Sequence, residues 1–299
     1  MQEKKPNFII IGAMKAATTS LYTYLKQHPD IFMTKVKEPM FFNNFNQEKD
    51  YKILGYKSKK VNTLEGYFSL FNDVKNEKAI GEASPAYIYN EKAPSLIFDI
   101  LPKLKIIAIL RHPTDRAYSN FLHTKRADRE NITSFQLAIN AEENRIKEGW
   151  SPLYHYIEKG YYSVQLKRYY DLFPKENIKV FLFEEIVKHP KESLKDIFQF
   201  LNVDDSFEVD SSKKANVSGN PKGVLGFILK KMRYYNLMPK FAISDYLPNF
   251  IVKLIFKSVY SESEKLNEGL RKEITDKYYK EDIKSLEKLI DRDLSSWLS

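Results

Sequence analysis

Four apolar residues, Phe8 to Ile11, run straight into Gly12, a small-residue loop with one lysine, and then Thr18-Thr19-Ser20. No other feature constrains the fold as strongly. The apolar run reads as a buried parallel strand, and Gly12 ends it. The hydroxyl residues open an amphipathic helix with Leu21, Tyr24 and Leu25 on one face. A strand, a tight loop and a helix N-terminus together make an anion cradle. First-turn N–H groups lack intrahelical partners, and the helix dipole favours negative charge there.

The cradle departs from the nucleotide P-loop pattern, G-x-x-x-x-G-K-[ST]. With Gly12 on the first glycine, Ala17 takes the second, Thr18 stands where lysine belongs, and the lysine moves forward to Lys15. A P-loop enzyme also needs an apolar strand ending in Asp to hold magnesium. The candidate strand Ile106 to Leu110 ends instead in the cation Arg111. A P-loop nucleotide kinase is therefore the weaker reading, and a ligand bound without metal the stronger.

These residues resemble the sulfotransferase family that uses 3′-phosphoadenosine 5′-phosphosulfate (PAPS). GAMKAATTSLYTYL, from Gly12, is similar to that family's 5′-phosphosulfate loop. ILRHPTDRAYSNF, Ile109 to Phe121, is similar to its 3′-phosphate block. KEPMFF (Lys37 to Phe42) and GEASPAYIY (Gly81 to Tyr89) resemble the branch containing the heparan-sulfate enzymes and bacterial relatives. FLFEEIVKHP from Phe181, NVSGNPKG from Asn216 and DRDLSSWL from Asp291 follow in order. The resemblance implies a P-loop-like α/β fold of three layers, with a central parallel sheet between helices and a C-terminal helical segment. It implies one domain over 1–299, with a PAPS-binding core over 1–210. The remainder, 211–299, holds a basic lid loop and C-terminal helices.

The implied reaction is in-line sulfuryl transfer, in which positioning and charge stabilisation do most of the work. Lys15 would neutralise charge on the leaving phosphate. The backbone of Ala16, Ala17, Thr18 and Thr19, the hydroxyls of both threonines, and Ser20 beside them would hold the 5′-phosphate. Helix capping is the competing role for the threonines. Arg111 and Ser119 would bind the 3′-phosphate, since arginine reads phosphate bidentately. In GYYSVQLKRYYDL, from Gly160, Tyr162 and Ser163 are candidates for holding adenine, with helix-core packing as the equal alternative. Ser218 and Lys222 sit in a basic loop suited to folding over phosphates.

The acceptor hydroxyl needs a base. Glu38 matches the catalytic glutamate of the heparan-sulfate branch, and the neighbouring Phe41 and Phe42 are placed to desolvate it. Glu82 is the rival. The branch often carries lysine at the next position, where this chain has Ala83. That absence keeps a non-catalytic nucleotide- or membrane-binding relative among the readings. The chain has no cysteine, and its five histidines lack metal-ligand spacing, so no metal is expected.

The formal net charge is +9. Residues 213–257 hold nine Lys or Arg against one acid, Asp245, among apolar runs. Such a stretch can lie on an anionic membrane, hold an anionic acceptor, or pack on the core. No motif supports nucleic-acid binding. No secretory h-region or bilayer-length apolar run is present, so a cytoplasmic enzyme is expected, with possible peripheral membrane contact. The implied acceptor is a glycan, a glycolipid or a small hydroxylated molecule.

Alternation of pattern predicts strands over 7–11, 79–82, 105–110 and 178–183. It predicts helices over 19–27, 93–101, 114–125, 135–148, 163–172 and 190–201. After about Ser211 only helix is expected. A parallel sheet with its site at the strand C-termini follows.

Overall fold

Five parallel strands form the sheet: β1 Phe8–Gly12, β2 Ile31–Met33, β3 Ala79–Ala83, β4 Lys105–Leu110 and β5 Ile178–Leu182. The computed structural model describes residues 4–45, 61–210, 219–221, 260–262 and 265–299. Spatial order is β2-β3-β1-β4-β5. The chain leaves β1, builds two strands on one side, then crosses to the other. The order therefore reverses at β1 and β4, where open α/β sheets place ligands.

β1 is buried along its whole length, as a strand covered on both faces must be. It pairs Ile10 with Ala83 on β3 and with Ile107 on β4. A register shift follows before Gly12, and Ala13 still donates to the carbonyl of Ile109 at 2.7 Å. A Cβ on Gly12 would stand 2.5 Å from Cγ2 of Ile88, so only glycine lets the strand exit here without displacing that neighbour.

The helices flank the sheet. They are α1 Thr18–Leu25, α2 Phe41–Asn44, α3 Leu64–Ser69, α4 Ala93–Ile100, α5 Pro113–Arg126, α6 Phe135–Asn140 and α7 Glu142–Lys147. Further along come α8 Tyr162–Tyr170, α9 Phe183–Lys188, α10 Pro190–Leu201, α11 Glu268–Ile274 and α12 Lys280–Ile290. α5 has Pro113 and Asp115 in its first turn and His123, Lys125 and Arg126 in its last. Each charge complements the helix dipole.

The predicted α/β class and parallel sheet are observed, with most boundaries within two residues. Three expectations are corrected. The helix expected over 135–148 is two helices, α6 and α7, meeting at Ala141. At that break Glu142 turns inward to accept the N–H groups of Ile157 at 2.7 Å and Glu158 at 2.9 Å. The region after Ser211 is not helical only: β6 Gly219–Pro221 pairs antiparallel with β7 Tyr260–Glu262. A strand spelled Gly-Asn-Pro offers no alternation to read. β2, also three residues long, was not anticipated.

The C-terminal residues complete the core. Trp297 and Leu294 are buried, and the Trp297 carbonyl accepts from Nε2 of His112 at 2.9 Å. Arg292 forms a two-armed ion pair with Glu185, so the DRDLSSWL and FLFEEIV segments lock together. No helix among the described residues is long and apolar enough to cross a membrane.

Candidate active site

The loop after β1 presents Lys15 and then turns into α1. Lys15 and Ala17 both take left-handed backbone conformations, at φ 69° and 65°. Ala17 is the N-cap residue and supplies no side-chain cap, and the first turn of α1 has no acidic residue. Its N–H groups thus face the loop with no carboxylate competing for them. Thr18 is buried, while Thr19 and Ser20 are half-buried.

Arg111 leaves the end of β4, next to this loop. Its Nη1 donates to the Lys15 carbonyl at 3.3 Å. Register explains its other contact. Leu110 pairs with Leu182, so the next residues, Arg111 and Phe183, emerge side by side. The guanidinium stacks 4.7 Å from the Phe183 ring centroid. Ser119 is half-buried further along α5.

Electrostatics around Lys15 are strongly positive. Burial lowers its pKa to about 8, and the charges of Arg126, Arg111 and Lys37 push the same way against Glu38. Arg126 was not recognised as a candidate. It lies seven residues after Ser119 on one helix, a spacing that returns to the same face, and this signal was available.

The KEPMFF segment folds over the end of β3. Glu38 takes φ 60°, Met40 takes φ 56°, and the Glu38 carboxylate pairs with Lys37 at 2.5 Å. The Met40 N–H donates to Ser84 Oγ at 3.1 Å, and Ser84 donates in turn to Glu82 at 2.8 Å. Glu82 is fully buried, with the Tyr67 hydroxyl donating to it at 3.4 Å. Burial pushes its pKa up to about 7, against the hydrogen bonds of Ser84, Tyr87 and Tyr67.

The aromatic pair does not cover Glu38. Phe41 stacks on Tyr67 at 4.5 Å and Phe42 packs edge-on to Tyr87 at 5.4 Å. The aromatic pair therefore packs on the two tyrosines that hydrogen-bond Glu82, whereas the Glu38 side chain stays 41% exposed.

Tyr162 and Ser163 start α8. Tyr162 is fully buried, which pushes its pKa up to about 12, and it feels the charges of Arg116 and Arg111. Ser163 donates its hydroxyl to Asp282 on α12, and its backbone N–H donates to the same carboxylate at 3.2 Å. Ser163 thus ties the C-terminal helix to the core. Ser218 and Lys222 lie outside the described residues, as does most of the basic stretch 213–257.

A family model described as "Sulfotransferase domain" matches residues 5–232. The chain belongs to the sulfotransferase family. A solved sulfotransferase from Alicyclobacillus acidocaldarius is 32% identical, with a TM-score of 0.75 over 99% of this chain and 100% of that one. The membrane-associated sulfotransferase kil1 of Dictyostelium discoideum is 36% identical over 119 residues, 39% of this chain. The mouse bifunctional heparan sulfate N-deacetylase/N-sulfotransferase 4 is 28% identical over 211 residues, 66% of this chain. The matches cover 22% of the length of each of these two curated relatives. The sulfotransferase fold is thereby shown over nearly the whole chain.

Proposed function

We propose that this chain transfers a sulfuryl group from PAPS to an acceptor hydroxyl of the glycan or glycolipid class. The observation that carries the reading is the direct hydrogen bond from Arg111 to the Lys15 loop. It joins two cationic positions at the switch point of the sheet, suited to a ligand with phosphate at both ends.

PAPS would supply the sulfuryl group and a phosphate leaving group. Lys15, Ala16, Ala17, Thr18, Thr19 and Ser20 hold its 5′ end. Arg111 and Ser119 hold the 3′-phosphate, with the buried Tyr162 backing the pocket behind Arg111 and Ser218 and Lys222 assigned to the lid. Lys15 stabilises negative charge on the departing phosphate oxygen. Glu38 takes the acceptor proton, because its carboxylate reaches solvent beside Lys15. Glu82 has no exposed surface and acts as a positioning residue, holding Ser84 and through it the Met40 backbone. Arg126 and Lys37 add positive potential that draws in an anionic substrate.

The name of the mouse relative, a heparan sulfate N-sulfotransferase, supports a glycan acceptor and also names transfer to nitrogen. A peripheral membrane location is the matching reading for residues 213–257. The test is calorimetry with desulfated 3′-phosphoadenosine 5′-phosphate (PAP), then a screen of hydroxyl and amine acceptors with labelled PAPS in EDTA. Binding of PAP followed by EDTA-insensitive labelling of a hydroxyl acceptor is expected. No PAP binding would end the proposal; labelling of amines alone would overturn the hydroxyl assignment.

A further inference from the structure

Behind the Lys15 loop two cations are buried without an anionic partner. Arg116 on α5 has no exposed surface. Its Nη2 donates to the Tyr156 carbonyl, while Nε and Nη1 have no hydrogen-bond partner among the described residues. Lys159, in the turn Glu158–Gly160, is 5% exposed, and among the described residues its ammonium's one hydrogen-bond contact is the sulfur of Met14 at 3.5 Å. Its ammonium stands 5.9 Å from the Tyr89 ring centroid. Both cations line a small cavity of about 10 Å³, together with Ala13, Met14, Pro85, Ile88 and Tyr89.

The charges do not balance. Glu142 is the carboxylate that acts on both cations, and its two oxygens are already occupied by the N–H groups of Ile157 and Glu158. Neither cation forms an ion pair among the described residues. His155 adds no negative charge: burial lowers its pKa to about 4, and its Nδ1 bonds the Tyr89 hydroxyl at 2.8 Å. A buried cation lacking a counter-charge is strongly disfavoured. The cavity holds about one particle of water size, so a monatomic anion matches it more nearly than the larger sulfate or phosphate. A water would satisfy donors but bring no charge.

We propose that Arg116 and Lys159 bind a small monovalent anion of the halide class, on the inner side of the Ala13–Met14 segment. The anion accepts from the unpartnered guanidinium N–H groups and from the ammonium. It also keeps Lys159 protonated. With no anion, burial and Arg116 lower the Lys159 pKa to about 7, so proton loss is the competing way to remove the surplus charge. The site lies against Ala13 and Met14, ahead of the Lys15–Ser20 positions assigned to the 5′-phosphate, and needs no nucleotide.

The test uses the full chain without nucleotide. Crystals soaked in bromide are measured at the bromine edge. Thermal unfolding is followed at pH 7 and fixed ionic strength as chloride replaces gluconate, an anion too large for the cavity. An anomalous peak between Lys159 and Arg116 is expected, with a Tm rise of about 2–4 °C in chloride that disappears in Lys159→Met. An empty or water-filled cavity in the bromide crystals overturns the proposal, as does an equal chloride response in Lys159→Met. If Lys159→Met does not fold, the bromide peak in the unaltered chain decides alone.

Discussion

The guanidinium of Arg111 and the main-chain carbonyl of Lys15 are 3.3 Å apart and hydrogen-bonded. One residue ends β4 and the other lies in the loop that leaves β1. The adjacent pairing of these two strands therefore fixes the distance between the two anion-binding positions. Arg111→Ala should remove the preference for PAP over the analogue lacking the 3′-phosphate, a loss of about 10- to 100-fold in affinity ratio for a charged hydrogen-bonded contact. Arg111→Lys should not restore it, since a point charge lacks the planar fork. Calorimetry with both nucleotides measures the ratio, and an unchanged ratio in Arg111→Ala removes Arg111 from the 3′ pocket.

Lys15 gives a pH dependence with a definite sign. Its pKa in the free protein is lowered to about 8, by burial first and by Arg126 and Arg111 next. A bound anion favours the charged form and raises that value. Below pH 8 the lysine is already charged, so affinity for PAP stays level. Above pH 8 binding must bring in a proton, and affinity should weaken by up to about tenfold per pH unit. Titrations between pH 7 and 9.5 should show the bend. Lys15→Met should bind more weakly at pH 7 and lose the bend; a bend that survives in Lys15→Met belongs to another group.

Much of this arrangement was legible in the sequence. Phe8 to Ser20 carries its own structural logic, and Arg111 announces itself as a cation at a strand end. Long, periodic elements such as β4 and α10 could be bounded to the residue. What escaped was set by tertiary contacts. Three-residue strands carry no period. The inward turn of Glu142 depends on two N–H groups at Ile157 and Glu158. The packing of the Phe41–Phe42 pair depends on where Tyr67 and Tyr87 lie, and nothing local encodes that. Arg126 was readable from its spacing to Ser119, and its meaning came only once Lys15 was seen beside it.

Glu38 and Glu82 should separate in kinetics. Glu38→Gln removes the exposed carboxylate and leaves the nucleotide contacts in place. The transfer rate should fall by about 100-fold or more, the range for a lost general base, with PAP affinity nearly unchanged. Glu82→Gln keeps the hydrogen-bonded shape that holds Ser84, so its rate should fall far less. Single-turnover transfer with labelled PAPS measures both. A larger loss in Glu82→Gln than in Glu38→Gln would reverse the assignment.

Glu82 should also be visible in stability. Its folded pKa is raised to about 7 from an ordinary value of 4.5, because a fully buried carboxylate loses its hydration. Between those two values the folded chain holds a proton that the unfolded chain has released. Stability contributed by this group is therefore present below pH 4.5, falls as pH rises toward 7, and levels off beyond. Glu82→Gln has no proton to release and mimics the neutral acid. Urea unfolding at pH 5 and pH 8 should show a smaller fall for Glu82→Gln than for the unaltered chain, the other titrating groups cancelling in the comparison. An equal fall in both would mean that Glu82 is ionised throughout, held by Ser84, Tyr67 and Tyr87 against its burial.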